Sequence, residues 1–251
     1  MPCGDDGAND GGVAERGDAE ALKASVRKDV QVRVLPPLPT ASAGPSFSTS
    51  QLQPYSYLLG VYLGDGCISR APRTFRLEIY MNAKDTRVIR QTADAMRELL
   101  PRNRVGFRCR PSVVVVNSYS NQWPRLFPQH GRGRKHLRPI ALESWQREIV
   151  ERHPEDFVRG CLDSDGCRHR RIVRGRNYPA YSFRNRSVDI LMLFATACDL
   201  AGLRWRRSNR ETISIARRHD VARLDELMAG GETQTPSVVP SSPRKTSTPG
   251  A

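Results

Sequence analysis

Strict alternation of apolar and polar side chains marks Thr74–Asn82. Phe75, Leu77, Ile79 and Met81 fall on one face, and Thr74, Arg76, Glu78, Tyr80 and Asn82 on the other, the pattern of a half-buried strand. The period then changes. Across Asp85–Leu100 the positions Val88, Ile89, Thr92, Met96 and Leu99 recur at helical spacing, which predicts an amphipathic helix. Alternation returns at Arg104–Arg110, with Val105, Phe107 and Cys109 inward and Arg104, Arg108 and Arg110 outward, and Val113–Val116 reads as a buried strand. Residues 167–185 supply two further strands, with Tyr181 and Phe183 inward and Ser182 and Arg184 outward. Ser187 is placed to cap a helix over Val188–Ala201, and Gly202 stands just past its end. Arg204–Ser208 and Thr212–Arg217 read as strands with Trp205, Ile213 and Ile215 inward, and His219–Met228 as a closing helix. The class is α+β, with the order helix, strand, strand, helix, strand, strand occurring twice.

Each round opens on a similar segment. Pro54–Arg70 (PYSYLLGVYLGDGCISR) and Pro154–Arg170 (PEDFVRGCLDSDGCRHR) align without a gap, sharing Pro, Gly, Asp, Gly, Cys and Arg at six of 17 positions. Proline suits the first turn of a helix and glycine its end, so helices are predicted over 54–64 and 154–164. Gly60 and Gly64 lie four apart on one helical face, as do Gly160 and Ser164. Small residues there let two helices approach closely. Packed in parallel, the pair would bring Asp65 and Asp165 together at one end. A lone Asp-Gly is an ordinary turn, but two at identical spacing behind such helices ask for another reason. Helix C-termini carry partial negative charge and free carbonyls. Two carboxylates added there call for a cation, and hard divalent ions take oxygen ligands of this kind.

The two segments Leu58–Gly66 and Val158–Gly166 resemble a pair of LAGLIDADG motifs. The resemblance covers roughly 54–229 and implies the fold of the homing endonucleases of that family. That fold has two pseudo-symmetric αββαββα repeats, antiparallel sheets forming a DNA-binding saddle, and motif helices at the repeat interface. It also implies that Asp65 and Asp165 are catalytic and hold Mg²⁺ or Mn²⁺ together with the backbone carbonyls of Gly64 and Ser164. The implied reaction is metal-dependent phosphodiester hydrolysis in double-stranded DNA. The same fold serves transcriptional regulators that bind DNA without cutting it, which is the alternative reading, and intron-RNA splicing cofactors. Two departures introduce asymmetry: the sixth motif position is Asp163 in the second copy but Leu63 in the first, and Arg159 stands where a small or apolar residue is usual. In this family a lysine near the metal often helps activate water; Lys84 and Lys135 are the two in the patterned region.

Charge agrees with a polyanionic partner. The chain of 251 residues carries a formal +14. Residues 1–50 hold seven acidic against five basic side chains and residues 231–251 a net of one positive charge, so 51–230 carries +15. Only five of the 40 basic residues are lysines, a bias that a G+C-rich genome also produces. The outward strand residues are mostly Arg, Asn, Ser, Tyr and Thr, a face suited to the major groove as well as to water. Arg70, Arg76, Arg104, Arg108, Arg110, Arg184 and Arg206 are the candidate DNA contacts. Arg134 and Lys135, in the basic run His130–Arg138, join them as a track for phosphates. The cysteines lie at 3, 67, 109, 161, 167 and 198 without a CxxC pair, which argues against a zinc ribbon; Cys67, Cys109, Cys161, Cys167 and Cys198 are expected in the core. No apolar run is long enough to span a bilayer, and the acidic start lacks a signal-peptide core, so a cytoplasmic, nucleoid-associated monomer is expected. The Gly/Asp/Ala/Ser/Pro-rich segment 1–50 and the Ser/Thr/Pro-rich tail 231–251 read as disordered, apart from a short helix near Glu20–Val30. The repeats are assigned to 51–150, with its linker, and 151–230.

Overall fold

The computed structural model describes residues 44–173 and 175–230. The first round of elements is α1 (Thr49–Asp65), β1 (Gly66–Arg70), β2 (Phe75–Asn82), α2 (Thr86–Leu99), β3 (Val105–Cys109) and β4 (Val113–Tyr119). A connection follows with α3 (Trp123–Leu126), a 3-10 turn at Lys135–Leu137 and α4 (Ser144–Arg152). The second round is α5 (Pro154–Asp165), β5 (Gly166–Val173), β6 (Arg176–Arg184), α6 (Val188–Leu200), β7 (Arg206–Asn209), β8 (Thr212–Ile215) and α7 (Arg218–Ala229). Two four-stranded antiparallel sheets result, with matching orders β1-β2-β4-β3 and β5-β6-β8-β7. The expected helix near Glu20–Val30 and the tail 231–251 lie outside the described residues.

The helices gather on one side of the sheets. Leu77, Ile79, Met81, Phe183, Ile213 and Ile215 meet α1, α2, α5 and α6 in one continuous core. Ser187 caps α6, its hydroxyl accepting from the Ile190 N–H at 3.4 Å, and Gly202 closes it at φ +69°, where a side chain would be strained. α1 is unusual in being buried on every side: each residue from Tyr55 to Leu63 is buried, with α5, α2, α4 and β2 packed around it. A helix apolar all round belongs in a core, which is why its sequence shows no polar stripe.

Several expectations need correction. α1 begins at Thr49, so Pro54 lies inside the helix and removes one hydrogen bond from it, whereas Pro154 is the first residue of α5. Residues 44–50 belong to the folded unit, although their composition grouped them with the disordered segment: Phe47 packs 4.8 Å from the Tyr55 ring and 5.7 Å from Trp145. The boundary drawn at 150/151 runs through α4, a helix the pattern did not reveal. Gly66 and Gly166 close their helices at φ −86° and −92°, not in a left-handed turn; at Gly66 an added Cβ would lie 2.8 Å from the Tyr62 carbonyl. Cys161 and Cys198 are buried, but Cys67, Cys109 and Cys167 are exposed. Phe107 and Cys109 share the inner face yet sit on the edge strand β3, where Arg97 of α2 covers the Phe107 ring only in part, and Phe107 remains 44% exposed.

Among the described residues no helix is long and apolar enough to cross a membrane.

Candidate functional site

The site is set by how closely α1 and α5 approach. They run parallel: the Ser56 hydroxyl donates to the His153 carbonyl at 2.8 Å near one end, and Gly64 abuts Ser164 at the other. A Cβ at Gly60 would lie 2.5 Å from the Phe157 carbonyl oxygen and 2.8 Å from the Cys161 nitrogen. One at Gly160 would strike the Tyr57 carbonyl, and one at Gly64 would lie 2.6 Å from Ser164 Cβ and 3.0 Å from Asp165 Oδ2. Backbone therefore touches backbone along the crossing, as the small residues of the paired motifs require, and the last turns of both helices bring Asp65 and Asp165 together.

The electrostatics follow from that convergence. Burial, and then the neighbouring charge of Asp165, push the Asp65 carboxyl up to about 7, with Lys135 opposing. Asp165 is also raised by burial, against the amide of Asn185, which donates at 2.8 Å, and the charge of Lys135. Lys135 comes from the connection between the rounds to the end of α1, beside the pair. Its ammonium donates to the carbonyls of Tyr62, of Leu63 at 3.1 Å and of Gly64 at 3.5 Å, and lies 4.5 Å from the centre of the Tyr62 ring. Burial lowers it to about 8 while Asp65, Cys67 and Asp165 hold it up. The basic run suggested a phosphate track; instead this lysine folds back onto the end of α1. The resemblance left a lysine near the pair open between Lys84 and Lys135, and it is Lys135 that lies there; the contact of Asn185 is the site feature the sequence did not disclose.

Two carboxylates, the C-terminal dipoles of two helices and one ammonium leave a net negative charge. Among the described residues no third His, Cys, Asp or Glu joins the pair as a metal-binding group. The Ser164 hydroxyl is engaged by the Cys161 carbonyl at 2.9 Å, leaving its main-chain oxygen as the candidate donor. Two carboxylates with a few carbonyls suit Mg²⁺, which keeps waters and accepts substrate phosphate oxygens in its remaining positions. The residues present fit such an ion.

The motif departures have structural roles beside the pair. Asp163, whose side chain is only 1% exposed, accepts from Arg87 of α2 at 2.6 Å and from the Tyr57 hydroxyl at 3.0 Å. Arg159 pairs with Asp156 at 3.0 Å and lies 4.9 Å over the Tyr57 ring. Both positions thus join the second round to the first.

The sheet faces turned away from the helices carry four of the eight candidate arginines. Strand register places Arg76, Glu78, Tyr80 and Arg108 with Cys67 on one sheet, and Arg184 and Arg206 with Cys167 on the other. Arg104, Arg110 and Arg134 are exposed outside the strands. Arg70 pairs with Phe75 and so falls on the opposite, helix-covered side, at the end of β1. Glu78 is only 4% exposed despite its outward position, because Arg76, at 2.8 Å, and Arg108 close over it. Arg184 meets Glu211 at 3.2 Å. Tyr80 and Tyr119 are exposed on the same face as Arg76.

Solved structures similar to this chain include LAGLIDADG proteins. The homing endonuclease I-DmoI in complex with DNA and Ca is 11% identical over 71% of this chain and 90% of its own, with a TM-score of 0.45. The LAGLIDADG meganuclease I-AabMI bound to uncleaved DNA is 12% identical over 70% of this chain and 83% of its own, at 0.43. The N-terminal LAGLIDADG domain of DUF199/WhiA is 14% identical over 76% and 86%, at 0.46. No family model and no curated protein matches the sequence.

Proposed function

We propose that the chain is a metal-dependent endonuclease of homing-endonuclease type, acting as a monomer on double-stranded DNA. The observation that carries this reading is the convergence of Asp65 and Asp165 at the ends of two parallel helices in backbone contact, with a single ammonium held on the last carbonyls of α1 beside them. Asp65, Asp165 and the carbonyls of Gly64 and Ser164 would hold Mg²⁺ or Mn²⁺. When bound, the ion supplies an activated water and stabilises the leaving oxygen of a phosphodiester.

The remaining work belongs to side chains of this protein. Asn185 fixes the orientation of the Asp165 carboxylate through its amide. Glu78 holds Arg76 and Arg108 in place on their sheet, leaving that trio one net positive charge for a phosphate or a guanine edge. Arg184 and Arg206 offer the same chemistry on the second sheet, and Arg104, Arg110 and Arg134 extend it beyond the strands. The β5–β6 hairpin reaches past its neighbour, since β8 pairs only with residues 181–184, and Arg171 and Tyr178 face each other across its outward side.

A second reading, DNA binding without cutting, is favoured by Lys135, whose ammonium already neutralises part of the pair. The two separate in one experiment. A plasmid library is incubated with the protein and Mg²⁺, and new DNA ends are sequenced; Asp65→Asn and Asp165→Asn are then tested on any selected site. Loss of cutting with DNA binding retained is expected, because asparagine keeps the shape and removes the charge. Absence of Mg²⁺-dependent ends on every sequence would favour the binder, and cutting at parental rates by both variants would sink the assignment of the pair.

A further inference from the structure

We propose that Lys135 is the resident cation of the acid pair in the DNA-free protein, and that a divalent ion enters by displacing its ammonium group from the end of α1. This rests on the reading of Asp65 and Asp165 as a divalent-cation site.

The geometry is that of a cation site already filled. An ammonium has three N–H donors and no acceptor, and Lys135 meets three consecutive carbonyls, those of Tyr62, Leu63 and Gly64, with the Tyr62 ring below it. The carbonyls of Leu63 and Gly64 are among the last orphan acceptors of the helix, the oxygen type a hard metal ion takes, while that of Tyr62 also accepts from the Gly66 N–H. The Gly64 carbonyl, one of the proposed metal donors, is among them and at 3.5 Å is the longest contact.

The turn that carries the lysine adds no buried apolar side chain of its own, and its nearest anchors are Arg138 against Gly131 and the core residue Ile140. The turn Lys135–Leu137 contains no buried residue, and Leu137 is 75% exposed. Two residues upstream, Gly133 has φ +83°, and a Cβ there would meet nothing within 4 Å. Arg132 and Arg134 on either side of Gly133 are exposed. A group tethered by its own charge rather than by an apolar anchor can leave when a stronger cation arrives. Once displaced, Lys135 is free to move toward the phosphates that the neighbouring arginines attract.

Calcium ion serves as the probe, because it tests binding without requiring cleavage. Binding of Ca²⁺ to the full chain without DNA is measured by calorimetry for the parent, Lys135→Gln, Lys135→Met and Asp65→Asn. The two lysine variants should bind Ca²⁺ at least about tenfold more tightly, since a unit charge beside a dication in a partly buried site costs that much or more. In the parent, the Lys135 amine should react faster with an acetylating reagent when Ca²⁺ is present, read by mass spectrometry, and Asp65→Asn should abolish the increase. This second measurement needs no lysine variant to fold. Unchanged or weaker Ca²⁺ affinity in both folded lysine variants overturns the proposal, as does Lys135 reactivity that saturating Ca²⁺ leaves unmoved; the cation-site reading survives either result. Binding in no variant, or binding untouched by Asp65→Asn, removes the cation-site reading and the proposal with it.

Discussion

Gly60→Ala tests the packing on which the whole site depends. The new methyl carbon would lie 2.5 Å from the Phe157 carbonyl oxygen and 2.8 Å from the Cys161 nitrogen. Both are main-chain atoms, so no rotamer change relieves the overlap. To reach ordinary van der Waals contact the two helices must separate by about 1 Å. Overpacking of this kind costs roughly 1–3 kcal/mol, and backbone obstacles put it near the upper end. Alanine recovers up to about 1 kcal/mol of helix propensity over glycine. A net loss of roughly 2 kcal/mol is expected, a fall in Tm of about 4–8 °C for a chain of this size. Urea and thermal unfolding of the full chain measure it. Gly106→Ala is the control, because its Cβ would meet nothing closer than 3.4 Å; it should change stability by about 0.5 kcal/mol or less. The separation also pulls Asp65 from Asp165, so Ca²⁺ binding should weaken in Gly60→Ala. Stability equal to the parent's would refute the account of the helix contact, whatever the protein does.

Three other outcomes are expected. Arg87→Leu should destabilise the fold by about 3 kcal/mol, because it strands the buried Asp163 carboxylate, while adding Asp163→Leu should recover most of the loss, as the first motif's Leu63 suggests; chemical denaturation of the three variants decides it. Asp225 is held below its usual range, first by its hydrogen bond from Arg168, so its stabilising effect is complete above the ordinary carboxylate value and fades as pH falls through the lowered one. Asp225→Asn should accordingly destabilise at neutral pH and flatten the acid limb of a Tm-against-pH curve. DNA affinity should fall steeply with salt, with a slope of log K on log salt of about −5 for six phosphate contacts; a flat titration would mean that the excess arginine does not meet phosphate.

Much of this architecture was readable because its elements have clean periods. β2, α2 and α6 alternate or recur as their burial demands, and the repeated Gly-xxx-small spacing located both the helix contact and the acid pair. What escaped had no local signature. α4 is short and buries a polar residue: the Gln146 amide donates to the Tyr55 hydroxyl at 2.7 Å and its carbonyl accepts from Gln129 at 2.6 Å, a network visible only when three segments meet. Lys135 sits in a run of basic residues of which any member could have turned inward. Asn185 reaches Asp165 from the far end of a strand, 20 residues away in sequence. Glu78 shows why alternation misjudges burial: the face was assigned correctly, but two arginines cover the carboxylate there.

The enclosure of α1 from Tyr55 to Leu63 has a consequence for how the chain behaves when cut or split. A fragment ending before α5 would expose the apolar surface that the second round covers, along with Arg87 without its counter-charge. A fragment beginning at α5 would lack the helix against which Phe157, Val158 and Cys161 are packed. Neither piece is equipped for life as a separate soluble unit, yet the surface each lacks is supplied in full by the other. The two rounds should melt in one cooperative transition rather than in sequence. A protein nicked in the exposed stretch around Gly131–Gly133 should stay assembled through gel filtration, and two co-expressed fragments should find each other and rebuild the parent.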